Sequence, residues 1–113
     1  MANNFINAVK TNIAIDSGTY TDVYAAPASK VSILLELDIA NTTAAAIDAS
    51  VVVTDTSASV SAYVVKDSPI PAGGTLKVIS GQKIVLMATD VIKAAASAAN
   101  SADAIASILE DVG

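Results

Sequence analysis

Cysteine, histidine, arginine and tryptophan are all missing from this chain of 113 residues. Without cysteine there is no disulfide scaffold, thiol nucleophile or thiolate metal site, and without histidine the commonest base and metal ligand are gone. A Ser-His-Asp triad cannot be assembled, which leaves carboxylates, Lys, Ser, Thr and Tyr as the only reactive groups. Six lysines face eleven acids, a net charge of -5. With no Arg there is neither a basic footprint for phosphates nor a bidentate fork for bases, so no nucleic-acid partner is expected. The four aromatic residues, Phe5, Tyr20, Tyr24 and Tyr63, are too few for a base-stacking platform. Apolar residues make up 53% of the chain, yet runs such as Val31 to Leu37 break well before the ~18 positions a membrane helix needs. No membrane partner is expected. The first ten residues lack a basic stretch followed by an apolar one, so synthesis in the cytoplasm without Sec export is expected. The length suits one domain and is too short for two.

What is present alternates. Residues 1–17 carry Phe5, Ile6, Val9, Ile13 and Ile15 among Asn, Lys and Thr and end at Asp16-Ser17-Gly18, which reads as an N-terminal arm or edge strand closed by a turn. Thr19 to Ala25 has strand period and stops at Pro27, with Tyr20 and Tyr24 expected on one face. Ser29 to Ile39 is the clearest strand. Its Val31, Ile33, Leu35, Leu37 and Ile39 are expected to face the core, and Lys30, Ser32, Glu36 and Asp38 the solvent. Ile47 to Thr54 is β-branched, Val60 to Lys66 alternates, and Pro69, Pro71 and Gly73-Gly74 mark a loop. Thr75 to Ile79 and Lys83 to Met87 flank Ser80-Gly81-Gln82 as a hairpin would. Asp90 to Val112 is rich in Ala, the best helix former, but Asn100-Ser101 interrupts it, and two strands are the preferred reading. The expected fold is all-β, a single-domain antiparallel β-sandwich of jelly-roll-like form at residues 18–113, preceded by the arm at 1–17.

Candidate chemistry is sparse. Asp38, Asp48, Asp55 and Asp67 lack the spacing of a metal loop and read as outward strand or turn residues. Gly73-Gly74 and Gly81 form no phosphate-binding pattern. Lys66 and Lys77 read as solvated strand charges, and Asn41-Thr42-Thr43 as turn chemistry although it fits a glycosylation acceptor. No catalytic, cofactor-binding or metal residues are assigned, and no enzyme activity is expected.

The ordered set of segments carries more. Val23-Tyr24-Ala25-Ala26-Pro27-Ala28, Leu37-Asp38-Ile39-Ala40-Asn41-Thr42, the stretch from Tyr63 to Leu76 with Lys66-Asp67-Ser68-Pro69-Ile70-Pro71, Gly81-Gln82-Lys83-Ile84-Val85-Leu86, and Ser101 to Glu110 resemble small virion structural proteins of tailed bacteriophages, especially cyanophages. The resemblance spans nearly the whole chain, including its start, and differs by Ala at 94–96 and 104 and by Met87-Ala88-Thr89-Asp90 before the last strands. It implies an all-β, non-enzymatic particle component present in many copies and does not fix a place on the particle, for which the virion surface is expected. The first reading is a multicopy head decoration (cement) protein on the major capsid protein; the alternative is a neck or tail component, a connector or fibre-base protein. A free binding module for sugars or a host ligand is disfavoured because aromatic and Arg anchors are few or missing. Edge strands in need of cover point to a homo-oligomer, with a trimer favoured. The arm residues Phe5, Ile6, Val9, Ile13 and Ile15 are the expected interface, docking on a neighbouring subunit or another virion protein.

Overall fold

Eight strands and no helix make up the computed structural model, which describes residues 3–112; Met1 and Ala2 of the expected arm and Gly113 lie outside the described residues. In chain order they are β1 (Asn4–Lys10), β2 (Thr21–Ala25), β3 (Ser32–Asn41), β4 (Ile47–Asp55), β5 (Val60–Ile70), β6 (Thr75–Leu86), β7 (Val91–Ala96) and β8 (Ala102–Glu110). All strand pairings are antiparallel and build two four-stranded sheets, β1-β8-β3-β6 and β2-β7-β4-β5. The pairs β1·β8, β2·β7, β3·β6 and β4·β5 are the layers of one long hairpin rolled up on itself, which is the jelly-roll order.

The core lies between the sheets. Leu34, Leu37 and Ile39 from β3, Ile79 and Leu86 from β6, Val51 from β4, Ile70 from β5 and Ile92 from β7 are almost wholly buried there. Alanine fills the rest: Ala94 and Ala96 on β7 and Ala102, Ala104 and Ala106 on β8 are at most 1% exposed in the same cluster. Both segments are strands despite a composition that favours helix, because a short side chain lets a strand lie close against the facing sheet. Tyr24 crosses the core. Its hydroxyl donates to Glu110 Oε2 at 2.6 Å and accepts from the fully buried Ser32 Oγ at 3.0 Å, tying β2 to β8 and β3.

Bulges account for most departures from simple alternation. Leu35 is an extra residue on β3, with Leu34 opposite Ile108 and Glu36 opposite Ser107. Parity therefore flips within the strand. Ser32 and Leu34 face the core before the bulge and Leu37, Ile39 and Asn41 after it, so Ile33 and Leu35 are not the core residues their spacing predicts. The hairpin expected at Ser80-Gly81-Gln82 is absent. Thr75 to Leu86 is one strand against β3, and Gly81, Gln82 and Lys83 bulge out between the paired Ser80 and Ile84 where the register jumps from Glu36 to Leu34, with Gly81 at φ +105°. A bulge and a tight turn make the same demand for glycine, so the sequence signal is identical. β5 runs past Lys66 to Ile70. It takes Pro69 because it is an edge strand, where a missing N–H costs no ladder bond.

The N-terminal segment belongs to the same body. β1 pairs with β8 at seven consecutive positions, from Asn4 opposite Glu110 to Lys10 opposite Ala104. The chain then crosses to the second sheet, held by Ile13 N–H to Ala102 O at 3.0 Å, Ala96 N–H to Ala14 O at 2.9 Å and Asp16 N–H to Ala96 O at 2.8 Å. β1 is thus an edge strand of the first sheet, one of the two readings expected for residues 1–17, and strand pairing and core run across the 17/18 boundary.

Candidate functional site

The outer face of the β1-β8-β3-β6 sheet is built in rows. Reading the register across all four strands gives Phe5, Leu109, Ile33 and Val85 side by side. At ~4.8 Å between strands this row is about 14 Å wide. The next row on the same face is polar, Asn7, Ser107, Glu36 and Ser80, and the one after it is Val9, Ile105, Asp38 and Lys77. Beside Phe5 the Leu35 bulge helps to line a shallow hollow of about 330 Å3 with Asn7 and Ser107. Phe5 is 76% exposed, Val85 57%, Val9 54% and Ile105 53%. Scattered single apolar residues are ordinary on a protein surface, but a row of four in register is a patch.

This face has an unusual origin. On β8 the core side carries Ala102, Ala104, Ala106 and Ile108, and the outward side carries Asp103, Ile105, Ser107 and Leu109. Alanine is inside and larger apolar residues are outside, the reverse of what size-ranked burial predicts. Charge sits beside the patch. The neighbouring Asp38 carboxyl raises the Glu36 pKa, and Lys77 opposes the shift.

The five expected interface residues divide. Phe5 and Val9 are on this face. Ile6 points the other way and packs, half buried, against the core. Ile13 is a correction: it is 0% exposed within its own chain's core and offers nothing to a partner. Ile15 lies on the crossover, where it bridges Ala96 of the other sheet. The pattern missed Ile33, Val85, Ile105 and Leu109. The signal available was the Ala-on-one-parity alternation of 102–108, which marks the tight face and so leaves Ile105 and Leu109 outside.

Other candidates resolve structurally. The expected common face for Tyr20 and Tyr24 does not form: Tyr20 precedes β2, and a bulge between Asp22 and Tyr24 turns both Val23 and Tyr24 inward. Asn41 is buried, its Nδ2 donating to the carbonyls of Ala45, Ile70 and Pro71 and its Oδ1 accepting from Thr43, so its amide is fully used in joining two loops. Asp55 accepts from Ser57 Oγ and Ala58 N–H in a turn, which lowers its pKa. Asp67 closes a bulge through its N–H to Ser50 Oγ at 2.9 Å. Among the described residues no three of Asp, Glu, His or Cys converge as a metal site. Compared with protein-family models, curated proteins and solved structures, the chain matches none.

Proposed function

We propose that this protein is a non-enzymatic structural component of a tailed-bacteriophage particle, made in the host cytoplasm and carried in many copies as a head decoration protein. In this reading it docks on the major capsid protein through the outer face of the β1-β8-β3-β6 sheet. The observation that carries the reading is the register row Phe5, Leu109, Ile33, Val85, an apolar band across a whole sheet whose ends, Phe5 and Val85, are exposed and whose middle residues, Leu109 and Ile33, are half-buried. The segment-by-segment resemblance to small virion proteins supports the same reading. The jelly roll recurs in viral capsid domains, which is an analogy of fold and not of site. Edge strands β1 and β6 flank the face and are available for pairing between copies, in keeping with a homo-oligomer, a trimer favoured.

The test is a docking assay with particles that lack the protein. Phe5→Asp alters a side chain that is 76% exposed, so the fold should melt within about 0.5 kcal/mol of wild type. Particle binding should fall at least ~100-fold, since a charge would be buried without a partner. Undiminished binding of the folded variant would contradict docking through this face.

A further inference from the structure

The opposite surface of the molecule carries a different kind of site. On the outer face of the β2-β7-β4-β5 sheet a cleft of about 360 Å3 opens to solvent, a size within the roughly 300–1,000 Å3 usual for ligand clefts. Its floor is the register row Tyr63, Val52, Lys93 on β5, β4 and β7, followed by Ser61 opposite Thr54. The crossover from β1 to β2 supplies a wall with Asp16 and Tyr20, turning at Gly18 with φ +97°. The wall is latched to the floor by the Tyr20 and Tyr63 hydroxyls, 3.3 Å apart. Thr54 Oγ1 and Ser61 Oγ pair at 2.9 Å, and Lys66 Nζ lies 5.5 Å from the centre of the Tyr63 ring.

The chemistry of the lining selects among ligands. A free anion drawn to Lys93 meets the Asp16 carboxylate, and a free cation drawn to Asp16 or to the tyrosine rings meets Lys93. A neutral polyhydroxyl compound uses both, donating to the carboxylate and accepting from the ammonium. The hydroxyls of Tyr20, Tyr63, Thr54 and Ser61 both donate and accept, as sugar hydroxyls do. Tyr63, half exposed on an edge strand with the Lys66 ammonium over one side of its ring, offers the other ring face to the C–H face of a sugar. The Tyr20 hydroxyl shares a hydrogen bond with Tyr63, and that bond, partial burial and the Asp16 carboxylate all push it above its ordinary pKa. We infer that the cleft formed by Asp16, Tyr20, Thr54, Ser61, Tyr63 and Lys93 is a binding site for a neutral saccharide. It stands independently of what the β1-β8-β3-β6 face docks on.

The full chain, labelled with 15N, is titrated with a panel of neutral mono- and disaccharides, and with inorganic phosphate and spermidine as charged probes. At least one saccharide should produce saturable shifts at Tyr20, Thr54, Ser61, Tyr63 and Lys93 with a Kd on the order of 1 mM. Tyr63→Ala should weaken that binding about tenfold or more, and Tyr63→Phe, which keeps the ring, by about threefold or less. Phe5→Asp should leave it unchanged, which separates a failure here from a failure of docking. The inference is overturned if no saccharide gives a saturable response at ~50 mM, if phosphate or spermidine shifts these residues and saccharides do not, or if a folded Tyr63→Ala binds like wild type.

Discussion

Replacing Tyr24 by Phe removes one oxygen and keeps the ring, which isolates the bond between the two sheets from the packing around it. The oxygen donates to Glu110 Oε2 at 2.6 Å and accepts from Ser32 Oγ at 3.0 Å, and Ser32 is fully buried. A hydrogen bond to a charged acceptor contributes about 1.5–3 kcal/mol, and a buried hydroxyl stripped of its partner costs about 1–3 kcal/mol. The two overlap, so the expected loss is about 2–3 kcal/mol, and the Tm should fall by roughly 8–15 °C. Urea denaturation followed by far-UV circular dichroism reads this directly, with the m-value unchanged. Adding Ser32→Ala should restore part of the loss, since no hydroxyl is then stranded. Burial, and then the bond to Glu110, raise the Tyr24 hydroxyl from its ordinary 10 to about 12. The neutral phenol therefore favours the fold: its contribution is whole below pH 10 and is lost between pH 10 and 12. Allowing for solvent screening, that alkaline loss is about 1 kcal/mol and should be missing from the Phe variant. A Tyr24→Phe cost under about 0.5 kcal/mol, or an unaltered alkaline decline, would refute the reasoning.

Ile13→Ala should cost about 2–5 kcal/mol in the same denaturation assay, because the side chain is fully enclosed. Deleting residues 2–15 removes Ile13 together with every β1·β8 pairing; the truncated chain should lose its cooperative transition instead of folding as a stable core. Asn41→Ala strands three carbonyls and the Thr43 N–H and should cost about 2–4 kcal/mol by chemical denaturation. Gly81→Ala meets no atom within 4 Å yet sits at φ +105°, so a loss near 1 kcal/mol, without any change in the spectrum, is expected.

The sandwich was legible because its strands are short, alternating and separated by Gly, Pro, Asn and Asp. The closing pair, β7 and β8, was readable against the helical preference of alanine only through the Asn100-Ser101 break and the strand spacing around it. Side-chain direction was less legible. The Leu35 bulge reverses the parity of β3, the bulge at Asp22–Tyr24 turns Tyr24 away from Tyr20, and the one around Gly81 imitates a turn. A bulge leaves composition intact while shifting every later residue to the other face, so period alone cannot locate it. The bulges on β3 and β6 hid Ile33 and Val85 as outward residues, whereas Ile105 and Leu109 lie on the unbulged β8 and were missed because its buried parity is alanine. The saccharide-sized cleft was invisible in sequence, since Tyr20 and Tyr63 are 43 positions apart and meet only when the crossover folds over the second sheet.

Counting this protein in purified particles by quantitative mass spectrometry, relative to the major capsid protein, tests the central claim most directly. A head decoration protein should be present at on the order of hundreds of copies, in a fixed ratio set by the symmetry of the shell. Its absence from particles, or a handful of copies as at a neck or tail, would contradict that claim.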